Sequence, residues 1–327
     1  MSQSGSGTRF HWMDFARGIC IILVLLVHTE AALELGVGDR PEPFRTFNLL
    51  FDPYRMPFLM FLSGVLLQRS LKKNLRDNFV GKFSGIFWPF LIWSMVIYVA
   101  EGRFDLITVL KTPISAPSLL WYLWFLFAYY IIMTLADRFR VPTLLMVVVP
   151  IVLSQFAPSF LRIDRFCYLL TFFALGHLYT TSSFGRYVTR PVALVALALC
   201  LVGSFISAFD HPIKYELLFA WAPIGLILFV THISRHYAPV APTRPIEWVG
   251  RNSIVFYVCH FPVEILFGRH ILDGIGSVHL RYVLTFLAAV AAGVLLQKLR
   301  ANHRIVAGLF DVKVALGGFR RTALASK

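Results

Sequence analysis

Two ionisable side chains share one face of the first apolar segment of the chain. Arg17 and His28 are eleven positions apart, which in an α-helix is three turns plus about 20° and a rise of about 16 Å. A neutral imidazole at this depth can accept a proton from a hydroxyl nucleophile, as a general base does. Each residue also has a structural interpretation: Arg17 as an anchor at the lipid headgroups and His28 as a hydrogen-bonding group between helices. The residues alone leave both interpretations open.

Three more ionisable side chains fall within apolar segments, where charge is costly and function is the default interpretation. Arg55 lies in the second segment, at a depth that could meet His28, and is either a substrate or oxyanion contact or half of a structural ion pair. His260 and Glu264 stand at i and i+4 of a later segment, so they share one helix face. We treat Arg55, His260 and Glu264 as candidate substrate or oxyanion contacts.

Aromatic and basic residues mark the two ends of these segments. Trp121 and Trp124 form either an acceptor contact or an interfacial aromatic belt. A basic inner rim suits an anionic donor presented from the cytosol; it comprises Arg17, Arg69, Lys72 and Lys73. These residues include no strong metal-ligand set, phosphate-binding glycine loop or nucleophile elbow, so we expect no metal and no permanently bound cofactor.

The elements that position these residues follow from composition. The chain has 327 residues, 57% hydrophobic and 15% charged, and a mean hydropathy of +0.70, whereas a soluble domain carries about a quarter charged residues. Continuous apolar runs argue against an alternating β-barrel. We predict an all-α integral membrane protein with about ten transmembrane helices. They cover approximately residues 15–35, 47–67, 85–101, 118–135, 141–157, 163–180, 191–209, 214–232, 252–268 and 280–298.

Basic residues set the expected orientation. With a cytoplasmic N-terminus, the inner segments hold 21 of the 31 Lys and Arg residues, the outer loops hold 9, and Arg55 is within a span. The positive-inside rule then places both termini in the cytoplasm. We expect a disordered tail over residues 1–13, a membrane domain over 14–300 and a basic cytoplasmic tail over 301–327.

The net charge and the cysteine spacing limit which partners and which metal or redox sites we expect. The net charge of +14 is explained by cytoplasmic loops, so we expect a lipid bilayer and no nucleic acid as partner. Four cysteines lie in apolar runs without redox or metal spacing, which indicates packing residues; they are Cys20, Cys167, Cys200 and Cys259.

Five segments, in order, resemble the acyltransferase family 3 membrane proteins. They are HWMDFARGICIILVLLVHT, YRMPFLMFLSGVLL, WYLWFL, FFALGHLY and IEWVGRNSIVFYVCHFPV. The resemblance implies transfer of an acyl group, usually acetyl from acetyl-CoA and sometimes succinyl, to a hydroxyl of a carbohydrate or another small acceptor. It maps the family's essential histidine to His28 and the arginine before it to Arg17, and it favours a supporting role for Asp14, Ser63 and Asn252.

One departure from the family pattern concerns the donor site. Some members carry an Arg-x-x-Arg motif after the second helix, whereas Arg69 is followed at that spacing by Lys72. The charge is kept, but a bidentate phosphate contact at Lys72 is put in doubt.

The resemblance favours a direct transfer with His28 as base, in a bacterial cytoplasmic membrane and in association with polysaccharide synthesis. An acyl-enzyme on a histidine or on Cys259 is the less favoured route. Two alternatives are a transporter or flippase of a glycan or anionic metabolite, and a non-catalytic scaffold in a polysaccharide-synthesis complex.

Overall fold

A computed structural model describes residues 10–37, 41–115 and 119–317, and these residues form helices and no strand. The first ten α-helices are α1 (His11–Val37), α2 (Glu42–Leu50), α3 (Arg55–Val65), α4 (Leu67–Leu71), α5 (Leu75–Lys82), α6 (Trp88–Ala100), α7 (Leu106–Ser115), α8 (Trp121–Arg138), α9 (Thr143–Leu153) and α10 (Ile163–Thr181). The remaining seven are α11 (Arg190–Phe209), α12 (Trp221–Ile233), α13 (Arg244–Arg251), α14 (Ser253–Ile265), α15 (Val278–Asn302), α16 (Arg304–Gly308) and α17 (Val312–Ala315).

Short π-helical and 3₁₀ segments connect or extend these α-helices. π-helical turns join α5 to α6 and extend α14; they cover Phe83–Phe87 and Leu266–Ile271. Five 3₁₀ turns cover Phe160–Arg162, Phe184–Tyr187, Leu217–Phe219, Ser234–His236 and Ala241–Thr243.

Seven helical segments of the described chain are long and apolar enough to cross a membrane. They are His11–Glu34, Glu42–Leu71, Leu75–Ala100, Arg190–Phe209, Leu217–His236, Ser253–Ile271 and Val278–Asn302. The chain is therefore an all-helical, multi-pass membrane protein.

Three predicted spans are helical without reaching that length or hydropathy. They correspond to α8, α9 and α10; α9 has only 11 residues, and α8 is rich in tryptophan and tyrosine. A total of about ten spans and a cytoplasmic location for both termini stay predictions. Below, the end of the bundle where α1 begins is called the inner end, and the opposite end the outer end.

Helix α1 runs through the interior and packs against α3, α13, α14 and α15. Two motif glycines allow its closest crossing. A β-carbon on Gly18 would lie 2.1 Å from the carbonyl oxygen of Ile246, and one on Gly250 would lie 1.8 Å from that of Asp14. The backbones of α1 and α13 are therefore in direct contact, and only glycine fits at either position.

A second glycine pair joins α3 to α10. A β-carbon on Gly64 would lie 1.9 Å from the Phe173 carbonyl oxygen, and one on Gly176 would lie 2.1 Å from that of Phe61. Small residues permit such close helix approach in membrane proteins. Four glycines from the family-like segments thus set two helix crossings.

Both predicted tails contain folded residues. Because α1 begins at His11 and Met13 is buried, the last three residues of the predicted N-terminal tail are helical; residues 1–9 lie outside the described residues. At the other end, Trp88 donates a hydrogen bond of 2.8 Å to the Gly308 carbonyl, and Phe310 is buried against Trp93. The described part of segment 301–327 therefore folds back onto α6.

The cysteines are all free thiols. Cys20, Cys200 and Cys259 are buried and Cys167 is partly buried, as expected for packing residues.

Candidate active site

Two histidines from distant helices meet inside the bundle. His28 Nδ1 on α1 lies 2.8 Å from His260 Nε2 on α14, and the ring centroids are 4.9 Å apart. His260 Nδ1 in turn lies 3.3 Å from the carbonyl oxygen of Phe256. His28 is partly exposed, whereas His260 is buried.

The hydrogen-bond pattern assigns the tautomers of both rings. A carbonyl oxygen only accepts, so His260 Nδ1 carries its proton and His260 Nε2 is left as an acceptor. His28 Nδ1–H must then donate to that acceptor. The remaining nitrogen, His28 Nε2, keeps its lone pair and has no hydrogen-bond partner within the described part of the chain. In its neutral form, His28 thereby presents Nε2 as the ring atom that can accept a proton.

Glu264 faces α1 one turn beyond His260, as the i, i+4 spacing predicted. The hydroxyl of Thr29 donates to Glu264 Oε1 at 3.1 Å. Glu264 is fully buried, and its second oxygen has no hydrogen-bond partner among the described residues. The carboxyl group therefore lies beside the histidine pair with one acceptor atom unused.

Arg17 lines two cavities at the inner half of α1. The cavity at the inner end has a volume of about 230 Å³, and its polar walls come from Asp14, Arg17, Arg69 and Arg251. Three guanidinium groups and one carboxylate line this cavity, so its wall carries a net positive charge. The basic rim expected from the sequence thus includes Arg17 and Arg69.

Two residues of the predicted rim do not reach that cavity. Lys72 and Lys73 follow α4, and both are exposed to solvent. Arg251 takes their place in the cavity wall. Sequence reasoning missed Arg251 because it looks like one more basic residue of an inner loop; its position two residues before Ser253, in the GRNS segment, was the available signal.

The second cavity continues from Arg17 into the bundle. It has a volume of about 180 Å³ and is lined in part by Ser63, Tyr122, Tyr130 and Tyr257. Ser63 Oγ donates to the Leu59 carbonyl at 2.9 Å and lies 3.4 Å from the Tyr122 hydroxyl. Ser63 therefore helps to hold the cavity wall, and Tyr130 and Tyr257 are cavity residues that sequence reasoning did not identify.

Arg55 has partners of its own. It is buried, forms an ion pair with Asp52, and donates to the Asn48 carbonyl at 2.9 Å. No hydrogen bond joins Arg55 to His28 among the described residues. Of the interpretations left open by the sequence, the structural ion pair is present.

The two candidate tryptophans differ in their surroundings. Trp121 is buried, and the guanidinium carbon of Arg165 lies 5.2 Å from the centroid of its ring. Trp124 donates through Nε1 to the Pro113 carbonyl at 2.8 Å. Trp121 is therefore part of the bundle interior and not simply of an interfacial belt.

Asn252 lies where α13 ends and α14 begins. Its side-chain amide donates to the Trp248 carbonyl at 2.9 Å, which satisfies one of the last free carbonyls of α13. The residue fixes the turn that aims α14 and its histidine at α1.

A carboxylate on α13 is hydrogen-bonded to the first residue of α1. Glu247 accepts hydrogen bonds from His11 Nδ1 at 2.8 Å, Tyr237 at 2.9 Å and Thr243 at 3.2 Å. Burial raises the pKa of Glu247, but these hydrogen bonds outweigh it and hold that pKa below its ordinary value. The carboxylate thus supports the inner end of the site.

Comparison with known proteins gives one family. A family model described as an acyltransferase domain matches residues 10–298. The inner membrane protein YcfT of Escherichia coli K12 is 23% identical over 290 residues, which cover 76% of this chain and 78% of YcfT. The nodulation protein NolL of Mesorhizobium japonicum is 25% identical over 218 residues, which cover 61% of this chain and 58% of NolL. No solved structure matches this chain. The matches confirm the resemblance carried by the five sequence segments.

Proposed function

Because the chain belongs to the acyltransferase 3 family, we propose that it is a membrane O-acyltransferase with His28 as general base. It takes an acetyl or succinyl group from a cytosolic acyl-CoA and places it on a hydroxyl of an extracytoplasmic or lipid-linked carbohydrate. The observation that carries this proposal is the hydrogen bond between His28 Nδ1 and His260 Nε2, which orients His28 Nε2 as a proton acceptor.

The proposed chemistry is direct transfer in one ternary complex. The acceptor hydroxyl oxygen attacks the thioester carbonyl carbon while His28 Nε2 takes the hydroxyl proton. The tetrahedral intermediate then collapses, the carbon–sulfur bond breaks, and the departing thiolate receives the proton from the imidazolium. The products are the O-acyl ester and free CoA, and His28 returns to its neutral form.

His260 has a positioning role in this scheme. By accepting from His28 Nδ1–H, it selects the tautomer that leaves Nε2 unprotonated, and it lies closest to the positive charge that develops on His28. Glu264 and Arg55, which we expected to contact substrate or an oxyanion, belong to the same half of the bundle and complete the proposed acceptor side together with Trp121 and Trp124.

The donor is proposed to enter at the inner end. Arg17, Arg69 and Arg251 line the cavity there and suit the phosphates of an acyl-CoA, whereas the exposed Lys72 and Lys73 attract the donor at longer range. Arg17 also lines the deeper cavity, which gives the extended arm of the donor a route from the inner end into the bundle. Acyl-CoA is a co-substrate in this scheme and not a resident cofactor.

We place the protein in a bacterial cytoplasmic membrane, a location supported by the apolar helices and by the similarity to the inner membrane protein YcfT. There it would act beside a polysaccharide-synthesis complex, which supplies the carbohydrate acceptor.

The test is transfer of labelled acetyl from acetyl-CoA into the glycan fraction of membranes that contain the protein. We expect label with the native chain and with His270→Ala, whose histidine is exposed at the outer end, and no label above background with His28→Ala at equal folded abundance. Equal transfer by His28→Ala would overturn the assignment of the base. Movement of glycan across the membrane without label would support a transporter instead.

A further inference from the structure

An arginine at the outer end is held against two aromatic rings. Arg165 lies in the first turn of α10, and its guanidinium carbon is 4.6 Å from the centroid of the Tyr215 ring and 5.2 Å from that of the Trp121 ring. The two rings meet edge to face, with centroids 6.4 Å apart. Cation–π contacts engage the face of a guanidinium, so its in-plane N–H groups are not used by the two rings.

The hydrogen-bonding capacity of Arg165 is not used within the described chain. Its Nε is buried and has no hydrogen-bond partner there. Asp164 and Glu216 are its neighbours in sequence and in the adjoining loop, yet neither forms an ion pair with it among the described residues. A buried donor without a partner is costly unless a ligand supplies the acceptor.

The backbone around Arg165 is strained. Leu161, Arg162 and Tyr215 have φ angles of 53°, 60° and 58°, in the left-handed region that side chains other than glycine rarely adopt. They are three of the four such residues, glycine aside, in the described ranges. Backbone strain of this kind collects at binding and catalytic sites, where the surrounding structure maintains it.

Beside Tyr215, two cations share one carboxylate. Asp52 is the carboxylate partner of both Arg55 and Lys214, and Lys214 Nζ lies 3.1 Å from Asp52 Oδ2. Burial and the neighbouring charge of Arg165 lower the pKa of Arg162. One carboxylate therefore serves two cations, and the Arg165 guanidinium has no carboxylate partner among the described residues, so a bound anion would stabilise Arg165.

A chain of contacts places this cluster at the same end of the bundle as His28. Asn48 donates to Glu30, two residues beyond His28, at 2.6 Å, and the Asn48 carbonyl accepts from Arg55. Arg55 pairs with Asp52, which pairs with Lys214, and Lys214 directly precedes Tyr215. A ligand bound at Arg165 is therefore on the acceptor side of the proposed base.

We propose that Arg165, supported by Trp121, Tyr215 and Lys214, binds a negatively charged oxygen group of the acceptor carbohydrate, a carboxylate or a phosphate. The planar N–H edge of a guanidinium matches either group bidentately. This inference rests on the proposed function, in which a carbohydrate is the acyl acceptor. It adds the chemical class of that acceptor: the protein acts on an anionic saccharide and not on a neutral one.

The test measures binding without acyl-CoA, with the full chain in nanodiscs of phosphatidylcholine. Calorimetric titration compares trigalacturonate with galactotriose, and glucose 6-phosphate with glucose. We expect the anionic member of at least one pair to bind about tenfold more tightly or better; the pair that shows the preference identifies carboxylate or phosphate as the group. Arg165→Gln abolishes the preference, Arg165→Lys keeps part of it, and Arg103→Gln, an exposed outer arginine paired with Glu101, leaves it unchanged.

Three results would overturn the proposal. They are equal binding of anionic and neutral members of both pairs, an unchanged preference in folded Arg165→Gln, and binding at Arg165 only to added phosphatidylglycerol, which would make it a headgroup contact. The transfer assay separates this inference from the proposed function. Equal transfer to neutral and anionic acceptors would contradict this inference but support the proposed acyltransferase activity. An anion preference in binding without any transfer would support the anion site but contradict the proposed activity.

Discussion

His28 Nδ1 and His260 Nε2 lie 2.8 Å apart although the two residues are separated by 232 positions in the chain. The contact joins the first helix to one near the C-terminal end of the family match, so the proposed base and the group that orients it depend on the whole fold. It also leaves Nε2 as the ring nitrogen of His28 that has no partner among the described residues.

The hydrogen bond between the histidines can be tested through His260. We expect His260→Ala to lower kcat for acetyl transfer about 10²-fold, because His28 loses the acceptor that fixes its tautomer. The KM for acetyl-CoA should change little, since the rim residues are untouched. His260→Gln, whose side-chain oxygen can still accept from Nδ1–H, should recover part of kcat. Loss of acetyl-CoA binding, or an Ala variant as active as native, would contradict the positioning role.

The salt dependence of the KM for acetyl-CoA distinguishes a basic residue that lines the inner cavity from one that is exposed to solvent. Arg251→Gln should raise the KM for acetyl-CoA about tenfold, because a charge-assisted hydrogen bond contributes about 1.5 to 3 kcal/mol. Lys73→Gln should raise it less, and only at low ionic strength, because an exposed charge is screened within about 3 Å at 1 M salt. Steady-state kinetics at two salt concentrations decide this. The same salt response in both variants would count against Arg251 as a direct contact.

The crossing of α1 and α13 predicts a severe effect of a single methyl group. Gly250→Ala places a β-carbon 1.8 Å from the Asp14 carbonyl oxygen, and overpacking of this kind costs about 1 to 3 kcal/mol. Thermal unfolding in detergent should show the loss. Gly81→Ala on α5 is the matched control, since its β-carbon would meet nothing within 4 Å. Equal melting temperatures for the two variants would contradict the contact.

Low pH should destabilise the inner end of the bundle by protonating Glu247. The folded-state pKa of this carboxyl is below its ordinary value, so its stabilising contribution is present above the unfolded value of about 4.3 and is lost as the pH falls through the lower folded value. Melting temperature measured from about pH 3 to pH 7 should fall at the acid end more steeply in the native chain than in Glu247→Gln. Parallel curves would show that Glu247 makes no such contribution.

Two substitutions distinguish the role of Glu264 as a hydrogen-bond acceptor from a role of its carboxyl group in the reaction. Glu264→Gln keeps an acceptor for the Thr29 hydroxyl and should retain folding and most transfer activity. Glu264→Leu leaves that hydroxyl buried without its partner, at a cost of about 1 to 3 kcal/mol, which thermal unfolding would detect. A folded but inactive Gln variant would instead require the carboxyl group itself in the reaction.

Helix periodicity accounts for what could be predicted about the site, and tertiary packing for what could not. The eleven-residue spacing placed Arg17 and His28 on one face, and the i, i+4 spacing placed His260 and Glu264 on another; both hold because they depend on one helix each. The pairing of His28 with His260 depends on how α1 crosses α14, which no local pattern encodes.

The same distinction applies to the charged residues. Arg251 and Arg165 look in sequence like ordinary loop cations, because their cavity and their ring contacts arise from other elements. Arg55 was recognised as needing a partner, and Asp52, three residues away, was within reach of local reasoning. The family was recognisable because its motifs are short and local.

The two glycine crossings divide the bundle into parts that must move as units. Helices α1 and α13 are in backbone contact, and so are α3 and α10, so sliding within either pair would drive peptide groups into one another. The deeper cavity beside Arg17 takes walls from both pairs, through Arg17 of the first and Ser63 of the second. Sliding within either pair cannot enlarge this cavity, so space for the proposed acyl donor would have to come from movement between the pairs or from α8 and α14, which complete the wall.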